Sequence, residues 1–264
     1  MVTKTPLWTA KKYLGQHFLI NEQVRKTIIN SCPAQADVIL EIGPGAGAIT
    51  HLLPSLQKPV LAIEIDERFT QSLQELLGQE NVFITDALAV DYAALLQKYQ
   101  APWIVSNMPY NIAAPLMRKL MEQTKASAIT LMMQKEMADK VLLLPPHKGM
   151  NSLGILWQSF WQVKKLCLAP PSCFRPRPKV DSTVLHFTPR LQPLLPLPDL
   201  LSWEHFLRQL FAFKRKQLSS VLSKMGKSKE QSANILAQLN LNPQIRAEAL
   251  SITQIKDLYQ AWMA

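Results

Sequence analysis

The sequence predicts an α/β fold in which a mostly parallel, doubly wound sheet is followed by a small all-helical domain. Two observations favour this fold. Short apolar runs alternate with helical patterns up to about residue 190, which is typical of successive β/α units. Beyond a proline-rich stretch the alternation stops and helical periodicity takes over. We therefore expect a large domain over 1–192, a linker over 193–199 and a helical domain over 200–264.

The composition indicates a polyanionic partner. The 264 residues carry a formal net charge of +10, and excess Lys and Arg attract nucleic acid through long-range fields and counterion release. An anionic membrane surface is the alternative. The sequence has no apolar run long enough to span a membrane and no secretory pattern at its N-terminus. We expect a cytoplasmic protein that is a monomer.

The cysteines and histidines do not indicate a metal site. Cys32, Cys167 and Cys173 are an odd set without metal-ligand spacing, and the five histidines are scattered along the chain. We expect free thiols and no bound metal.

The first helix is predicted over 22–29, and the segment before it is expected to line a pocket. Residues 1–14 form a basic arm that also carries aromatic side chains. Gly15 allows a sharp turn of the backbone, which leaves Gln16, His17 and Leu19 as candidates for the pocket wall. For His17, a core or surface position is the alternative.

The first β/α unit has the features of a nucleotide-binding turn. An apolar strand over 38–42 precedes Gly43-Pro44-Gly45-Ala46-Gly47, and a helix is predicted over 48–53. Glycines let the backbone approach a ligand closely, and the N–H groups of the helix point at the same space. The spacing is not that of a dinucleotide fingerprint, so the glycines alone are weak evidence.

Acidic residues end the next two predicted strands. Glu64 lies near the end of a strand over 60–66, about 20 residues after the glycines, where a carboxylate can bind ribose hydroxyls. Asp86 ends a strand over 82–87 and could accept hydrogen bonds from an exocyclic amine. Asp66 and Asp91 are better explained as helix caps, before helices over 67–77 and 92–99.

The stretch from Trp103 to Asn111 is predicted to be a buried strand that opens into a cleft. Pro109 fixes its own φ and biases Met108 towards extended geometry, which holds the carbonyls next to Asn107 outward. Fixed acceptors beside the aromatic ring of Tyr110 suit a flat, amino-bearing ring. The alternative is an ordinary strand followed by a turn.

The β/α series continues with helices predicted over 114–121 and 135–144, a strand over 128–133 and a helix over 153–163. The stretch over 164–182 is basic and rich in proline, and we interpret it as a substrate loop. Arg175, Arg177 and Lys179 can meet phosphates, while Phe174 can stack on a base. The alternative is a plain loop before a strand over 184–187.

The C-terminal helical domain combines an apolar stripe with a run of positive charge. A solvated face is the alternative to RNA or DNA contact, but the charge adds to an already basic chain. The basic side chains are Arg208, Lys214, Arg215, Lys216, Lys224, Lys227 and Lys229.

Taken together, the motifs resemble those of the ribosomal RNA adenine N6,N6-dimethyltransferases of the small subunit, the KsgA-like family. The resemblance runs nearly end to end, and its motifs appear in the family's order. They are Gly15–Leu19, Glu41–Gly47, Glu64–Asp66, Asp86-Ala87, Asn107–Asn111, Gln134–Glu136 and Phe174–Ser182. The sequence departs from the family at three places. Position 17 is His where relatives often have Asn, and position 108 is Met where relatives usually have Leu. Residues Met150–Leu153 replace a Tyr-Gly-Arg-Leu-like stretch.

The resemblance implies a Rossmann-like methyltransferase domain that uses S-adenosylmethionine as donor. It places the donor against His17, Leu19, Gly43, Glu64, Asp86 and Asn107. It places the target adenine against Asn107, a carbonyl of Met108 or Pro109, and Tyr110, with Phe174 stacking from the other side. The implied partners are small-subunit rRNA and the pre-ribosomal particle, and the implied reaction is N6,N6-dimethylation of adenines, two adjacent ones, during ribosome biogenesis.

Three other functions remain as alternatives. A ribosome-assembly or RNA-binding factor could keep the fold without the chemistry, although Asn107 and Tyr110 argue against this. A large-subunit rRNA methyltransferase of the macrolide-resistance type shares fold and chemistry, and the stretch from Phe174 to Ser182 favours the small-subunit enzyme. A nicotinamide dehydrogenase is remote because the glycine spacing differs.

Overall fold

The computed structural model describes residues 9–123, 125–143, 146–196, 199–213 and 215–264. Four parts of the sequence predictions lie outside these residues: the first eight residues of the basic arm, the last residue of the helix predicted over 135–144, residues 197–198 of the linker and Lys214 of the basic run. The chain forms two compact units. The first comprises the chain up to Ala138 with Val163–Pro189, and the second comprises Asp139–Gln162 with Arg190–Ala264.

The described residues form nine strands, seven of them in one sheet. The sheet has the order β4-β3-β2-β5-β6-β9-β7, and the remaining strands, β1 and β8, pair with each other. The strands are β1 Phe18–Leu19, β2 Ile39–Ile42, β3 Val60–Glu64, β4 Val82–Ile84, β5 Trp103–Asn107, β6 Ala128–Gln134, β7 Trp161–Ala169, β8 Phe174–Arg175 and β9 Ser182–Pro189.

The strand order creates a switch point in the middle of the sheet. The strands from β2 to β6 are parallel, while β9 runs antiparallel to β6. From β2 the chain moves outward to β3 and β4, then returns to β5 on the other side of β2. Ligands of open α/β sheets bind beyond the carboxyl ends of the strands at such a point. The predicted mostly parallel sheet is therefore confirmed, and the motifs at Gly43 and Asn107 follow its two central strands.

Ten α-helices lie in the described residues. In the first unit, Asn21 and Asp91 cap α1 and α3 by accepting hydrogen bonds from backbone N–H groups, as predicted for Asp91. The helices are α1 Glu22–Ile29, α2 Thr70–Leu77, α3 Tyr92–Leu95, α4 Ala113–Leu120, α5 Lys135–Leu142, α6 Ser152–Phe160, α7 Leu200–Ala212, α8 Leu218–Lys224, α9 Lys229–Gln238 and α10 Ile252–Met263. No helix among these residues is long and apolar enough to cross a membrane.

The helix predicted over 48–53, after the glycine motif, is not an α-helix in the structure. The chain makes successive turns and then a 3₁₀-helix over Thr50–Leu56, with Pro54 inside it. Proline lacks the N–H that an α-helix needs and its ring crowds the preceding turn. The glycine turn therefore leads into a tighter helix.

The predicted substrate loop is in part a strand. The helix predicted over 153–163 ends at Phe160, and β7 occupies the nine residues that follow. Because β7 is at the edge of the sheet, its Lys164 and Lys165 are exposed, and charged residues are typical of a protected sheet edge. The basic residues beyond Pro170 remain outside the seven-stranded sheet.

The core of the first unit fastens the N-terminal segment to the sheet. Leu19 of β1 lies opposite Phe174 of β8, and the N–H of Ile20 donates to the carbonyl of Cys173 at 2.8 Å. Both side chains belong to a buried cluster that includes Val24, Trp103 and Met132. Two-residue strands are too short to leave a periodic pattern, so the sequence gives no sign of this pairing.

The second unit is helical apart from the start of β7, and aromatic side chains dominate its core. The rings of Trp203 and Phe206 stack at 5.8 Å, and Tyr259 meets both edge-on. The indole N–H of Trp203 donates to Ser159 of α6 at 3.0 Å. This contact explains why Asp139–Gln162 group with the C-terminal helices, whereas the sequence pattern assigns them to the first domain.

Candidate functional site

A cavity opens beyond the carboxyl ends of β2, β3 and β5, at the switch point of the sheet. It holds about 660 Å³ of empty space, including its open mouth. The N-terminal segment forms its other wall. The lining residues are Leu14, Gly15, Gln16, His17, Phe18, Leu19, Glu41, Gly43, Pro44, Gly45, Ala48, Ile49, Glu64, Ile65, Asn107, Met108, Pro109 and Tyr110.

Two glycines of the turn after β2 adopt conformations that other residues rarely adopt. Gly43 has φ +69° and Gly45 has φ +54°, which is the left-handed region that glycine enters without steric cost. The N–H of Gly45 donates to Oε2 of Glu64 at 2.8 Å. The turn is thus held by the neighbouring strand, and its backbone is open to close approach by a ligand.

Glu64 is buried at the end of β3 and nearly saturated with hydrogen bonds. Its Oε1 accepts from the N–H groups of Ile65 and Asp66 at 2.9 and 2.8 Å, while Oε2 accepts from Gly45. Burial raises the pKa of Glu64, and the three backbone donors oppose that rise. Each carboxylate oxygen has two lone pairs, so Oε2 keeps one for a further donor.

Glu41 is a second buried carboxyl in the cavity wall. It is 2 % exposed on β2, and its Oε2 has no hydrogen-bond partner among the described residues. Burial raises the pKa of Glu41 to about 8, with Thr50 acting in the opposite direction and Glu64 in the same one. An unsatisfied buried polar atom is costly, which favours a ligand that offers Glu41 a hydrogen-bond partner.

At the end of β5, the side-chain amide of Asn107 has a fixed orientation. Its Nδ2 donates to the backbone carbonyl of His17 at 3.1 Å. Because a carbonyl can only accept, this contact leaves Oδ1 of Asn107 as an acceptor for a ligand. The carbonyl of Pro109 accepts from Ile112, whereas the carbonyl of Met108 accepts no hydrogen bond from the described residues. Two acceptors are therefore available, Oδ1 of Asn107 and the carbonyl of Met108.

Tyr110 follows these acceptors and is restrained at both its ring and its hydroxyl. The hydroxyl lies 2.6 Å from Oγ of Ser182, and the ring centroid lies 5.4 Å from that of His17 at an interplanar angle of 30°. Burial raises the pKa of Tyr110, opposed by the bond to Ser182. The phenol stays protonated at neutral pH, so its ring is suited to stacking and its hydroxyl is not a general base.

The N-terminal wall of the cavity is held by a cluster that we call the Asp66 clamp, formed by Asp66, Arg68, Lys11 and Gln16. Arg68, Lys11 and Gln16 donate to the buried Asp66 carboxylate at 2.6, 3.0 and 2.8 Å. Arg68 also donates to the carbonyl of Thr9. Its guanidinium, with Gln16 and Lys11, holds the pKa of Asp66 well below its usual range.

Most of the predicted site residues meet in the cavity. His17, Leu19, Gly43, Glu64, Asn107, Met108, Pro109 and Tyr110 all line it, as does Gln16. The imidazole of His17, however, contacts Tyr110 and binds the carbonyl of Pro176 at 2.8 Å. Asp86 is exposed and outside the lining, and its Oδ1 accepts from the N–H of Leu88. Its contact with an exocyclic amine remains a prediction.

The stacking role predicted for Phe174 is not met by this structure. Phe174 is 1 % exposed and packs in the core cluster with Leu19. It lies opposite Leu19 in the pairing of β1 with β8, so burial of its ring stabilises the N-terminal segment. The motif is in place, but its aromatic residue supports the cavity wall from behind.

The chain is similar to known proteins along nearly its whole length. A family model described as ribosomal RNA adenine dimethylase matches residues 8–262. The chain belongs to the ribosomal RNA adenine dimethylase family. The match includes the second unit, so the helices after residue 200 are part of the family's shared architecture.

Individual relatives match this member of the ribosomal RNA adenine dimethylase family over nearly its whole length. Ribosomal RNA small subunit methyltransferase A of Streptococcus thermophilus is 34% identical over 98% of this chain and 96% of its own. The protein of that name from Clostridium botulinum is 32% identical over 94% of this chain and 92% of its own. A crystal structure of a dimethyladenosine transferase from Plasmodium falciparum has a TM-score of 0.77 at 26% identity, covering 92% of this chain and 96% of that one.

Sequence reasoning missed three parts of this dimethylase site. Glu41 and Ile65 line the cavity, and Ser182 binds Tyr110. Both Glu41 and Ser182 lie within the family motifs, but their roles depend on burial and on distant pairing. Asp66 does cap the 3₁₀-helix that follows it, as predicted, but its link to Lys11 spans 55 positions of sequence and has no local signal.

Proposed function

We propose that this protein transfers methyl groups from S-adenosylmethionine to N6 of adenines in small-subunit ribosomal RNA. The observation that carries the proposal is the pair of free acceptors, Oδ1 of Asn107 and the carbonyl of Met108, beside the ring of Tyr110 and next to a glycine-walled cavity. Family membership and relatives named ribosomal RNA small subunit methyltransferase A support the choice of RNA.

The donor fits the residues of the cavity. Gly43 and Gly45 let the backbone wall of the cavity come close to the donor. The remaining lone pair of Glu64 Oε2 suits a ribose hydroxyl of the donor. The unpartnered oxygen of Glu41 suits a polar group of the donor that can form a hydrogen bond with it. His17 and Leu19 contribute from the N-terminal wall, and Asp86 is proposed to reach the adenine amine of the donor from the rim.

The target adenine fits the acceptors at the end of β5. The N6 lone pair of adenine is delocalised into its ring, which makes it a poor nucleophile. Hydrogen bonds from the two N6 hydrogens to Oδ1 of Asn107 and the carbonyl of Met108 favour a tetrahedral nitrogen, whose lone pair is no longer delocalised into the ring. Tyr110 stacks on the ring and fixes its approach. The base must leave any helical stack to enter.

The chemistry of methyl transfer needs orientation more than acid–base assistance. The bound donor supplies an electrophilic methyl group on a sulfonium. The acceptors next to Pro109 align N6 with that methyl and stabilise the positive charge that develops on nitrogen. The N6 proton passes to water after transfer. A second transfer requires the same acceptors to hold the monomethylated base through its remaining hydrogen.

The RNA contacts are proposed to come from exposed basic residues of both units. Arg175, Arg177 and Lys179 are exposed near Pro176, whose carbonyl binds His17. In the second unit, Arg215 and Lys216 are exposed between α7 and α8. Exposed cations of this kind bind phosphates and make affinity depend on salt. We propose that the protein acts as a cytoplasmic monomer on the pre-ribosomal particle, at two adjacent adenines, without a metal.

The proposal is tested in a strain that lacks this protein. Mass spectrometry of digested small-subunit rRNA should show unmodified adenosines that become N6,N6-dimethyladenosine after complementation with the wild-type chain. Complementation with Asn107→Ala should leave them unmodified. Restoration of a methylated adenine in the large-subunit rRNA alone would favour a macrolide-resistance type of enzyme. Normal methylation in the deletion strain would favour a non-catalytic assembly factor.

A further inference from the structure

The hydroxyl of Tyr110 is held by the sheet. Ser182 is the first residue of β9, lies opposite Gln134 in the pairing with β6, and is fully buried. The N–H of Lys135 donates to the carbonyl of the neighbouring Asp181 at 2.9 Å, which fixes the start of this strand. The 2.6 Å contact between the two hydroxyls therefore ties Tyr110 to a rigid element that is 72 positions away in sequence.

The ring of Tyr110 is also restrained through His17. Nδ1 of His17 lies 2.8 Å from the carbonyl of Pro176 and, since a carbonyl only accepts, Nδ1 carries the hydrogen. The same residue's backbone carbonyl accepts from Asn107. His17 therefore contacts the ring of Tyr110, the amide of Asn107 and the turn at Pro176 that precedes β9.

We propose that Ser182 is a positioning residue for methyl transfer, whose hydroxyl holds the tip of the Tyr110 ring in place so that the target base stacks in line with the donor methyl. The inference rests on the function proposed above and deepens it. Tyrosine turns about two side-chain torsions. Packing against His17 limits rotation of the ring about its own axis, and the hydrogen bond to Ser182 fixes the direction in which the ring points. A stacking surface fixed before the base arrives reduces the ordering that transfer requires.

The test is a double-mutant cycle with Tyr110→Phe and Ser182→Ala. Each single variant should lower kcat on small-subunit rRNA about three- to tenfold, the effect of one hydrogen bond, and leave KM for the donor unchanged. The double variant should be no slower than the slower single one, because both changes remove the same hydrogen bond. A merely structural role of Ser182 predicts a different result, in which donor KM and thermal stability change with kcat.

Thr183 provides a matched control on the same strand. It is fully buried next to Ser182, and its hydroxyl has no hydrogen-bond partner among the described residues. Thr183→Val should leave kcat unchanged. The role of Ser182 would be overturned if kcat is unchanged in both single variants, or if their losses multiply in the double variant. Methyl transfer by the wild type would still support the proposed function in either case. Absence of adenine methylation by the wild type would overturn both proposals.

Discussion

At the scale of single residues, the site depends on polar atoms whose hydrogen bonds are only partly filled. Asn107 donates through Nδ2 to the carbonyl of His17, which leaves its Oδ1 free to accept a hydrogen bond. Glu64 accepts three hydrogen bonds and keeps one lone pair on Oε2. The sequence predicts both residues because each ends an apolar strand. It does not predict which atom stays free, because this depends on a carbonyl 90 positions away for Asn107 and on a glycine N–H 19 positions away for Glu64.

Asn107→Ala removes the oriented acceptor without altering the backbone of β5. We expect methyl transfer to fall by at least about a hundredfold, because the N6 lone pair is then no longer turned towards the donor. Binding of small-subunit rRNA should change little. Transfer is measured with a labelled donor, and rRNA binding by filter retention. Wild-type turnover in this variant would contradict the role of the amide.

The buried Glu41 predicts a pH dependence of stability. Its pKa is raised from 4.5 to about 8, so the folded state binds the proton more tightly than the unfolded state. Its contribution to stability is fully present below about pH 4.5 and is lost as pH rises through 8. By linkage the total is on the order of 5 kcal/mol.

Glu41→Gln keeps the shape of the side chain and removes the titration. Urea unfolding should show that the wild type loses stability between pH 6 and about pH 8.5 relative to this variant. The exposed Glu67→Gln serves as control and should follow the wild type. Parallel pH curves for wild type and Glu41→Gln would contradict the assignment.

At the scale of elements, the sequence predicts the central sheet well and its periphery poorly. Strands β2, β3 and β5 are buried on both faces and appear as short, mostly apolar runs. Edge strand β7 carries exposed Lys164 and Lys165, so it resembles a loop in sequence. The strands β1 and β8 are two residues each, and their paired residues Leu19 and Phe174 are buried.

The Asp66 clamp predicts that the N-terminal wall loosens when its carboxylate is removed. Asp66→Asn replaces an acceptor of three side chains with an amide that cannot hold both cations. Hydrogen exchange of residues 11–18 should become several-fold faster, and donor affinity should fall with it. Asp91→Asn is the matched control, because asparagine caps a helix as well as aspartate does.

The same clamp has a defined response to acid. Because the folded pKa of Asp66 is lowered, its contribution is complete above about pH 5 and is lost only as pH falls below the usual range of aspartate. Exchange of residues 11–18, corrected for intrinsic rates, should stay protected down to about pH 4. Loss of protection already near neutral pH would show that the clamp does not hold the wall.

At the scale of the whole molecule, the two units divide the proposed tasks. The first carries the cavity, and the second carries a basic run whose described members include Arg215, Lys216 and Lys229, all exposed. The sequence predicts the helical character of the second unit from its periodicity. It does not predict that α6 belongs there, because α6 follows the β/α series in sequence and is linked to α7 by a buried hydrogen bond from Trp203.

Charge reversal in the second unit should weaken RNA binding in a salt-dependent way. Changing Arg215, Lys216 and Lys229 to Glu should lower affinity for small-subunit rRNA and reduce the slope of log affinity against log salt by roughly one for each phosphate that is no longer bound. The same reversal at Lys26, Lys98 and Lys125 changes net charge equally in the first unit. An identical salt slope in both triple variants would exclude the basic run.

Methyl transfer with purified components is the most direct test that this protein methylates adenines of small-subunit rRNA. The protein is incubated with methyl-labelled S-adenosylmethionine and, separately, with unmodified small-subunit and large-subunit rRNA or particles, and the digested nucleosides are separated by chromatography and mass spectrometry. We expect label in N6-methylated and N6,N6-dimethylated adenosine from the small-subunit substrates, and none with Asn107→Ala. Label in another nucleoside, or in large-subunit rRNA only, would contradict it.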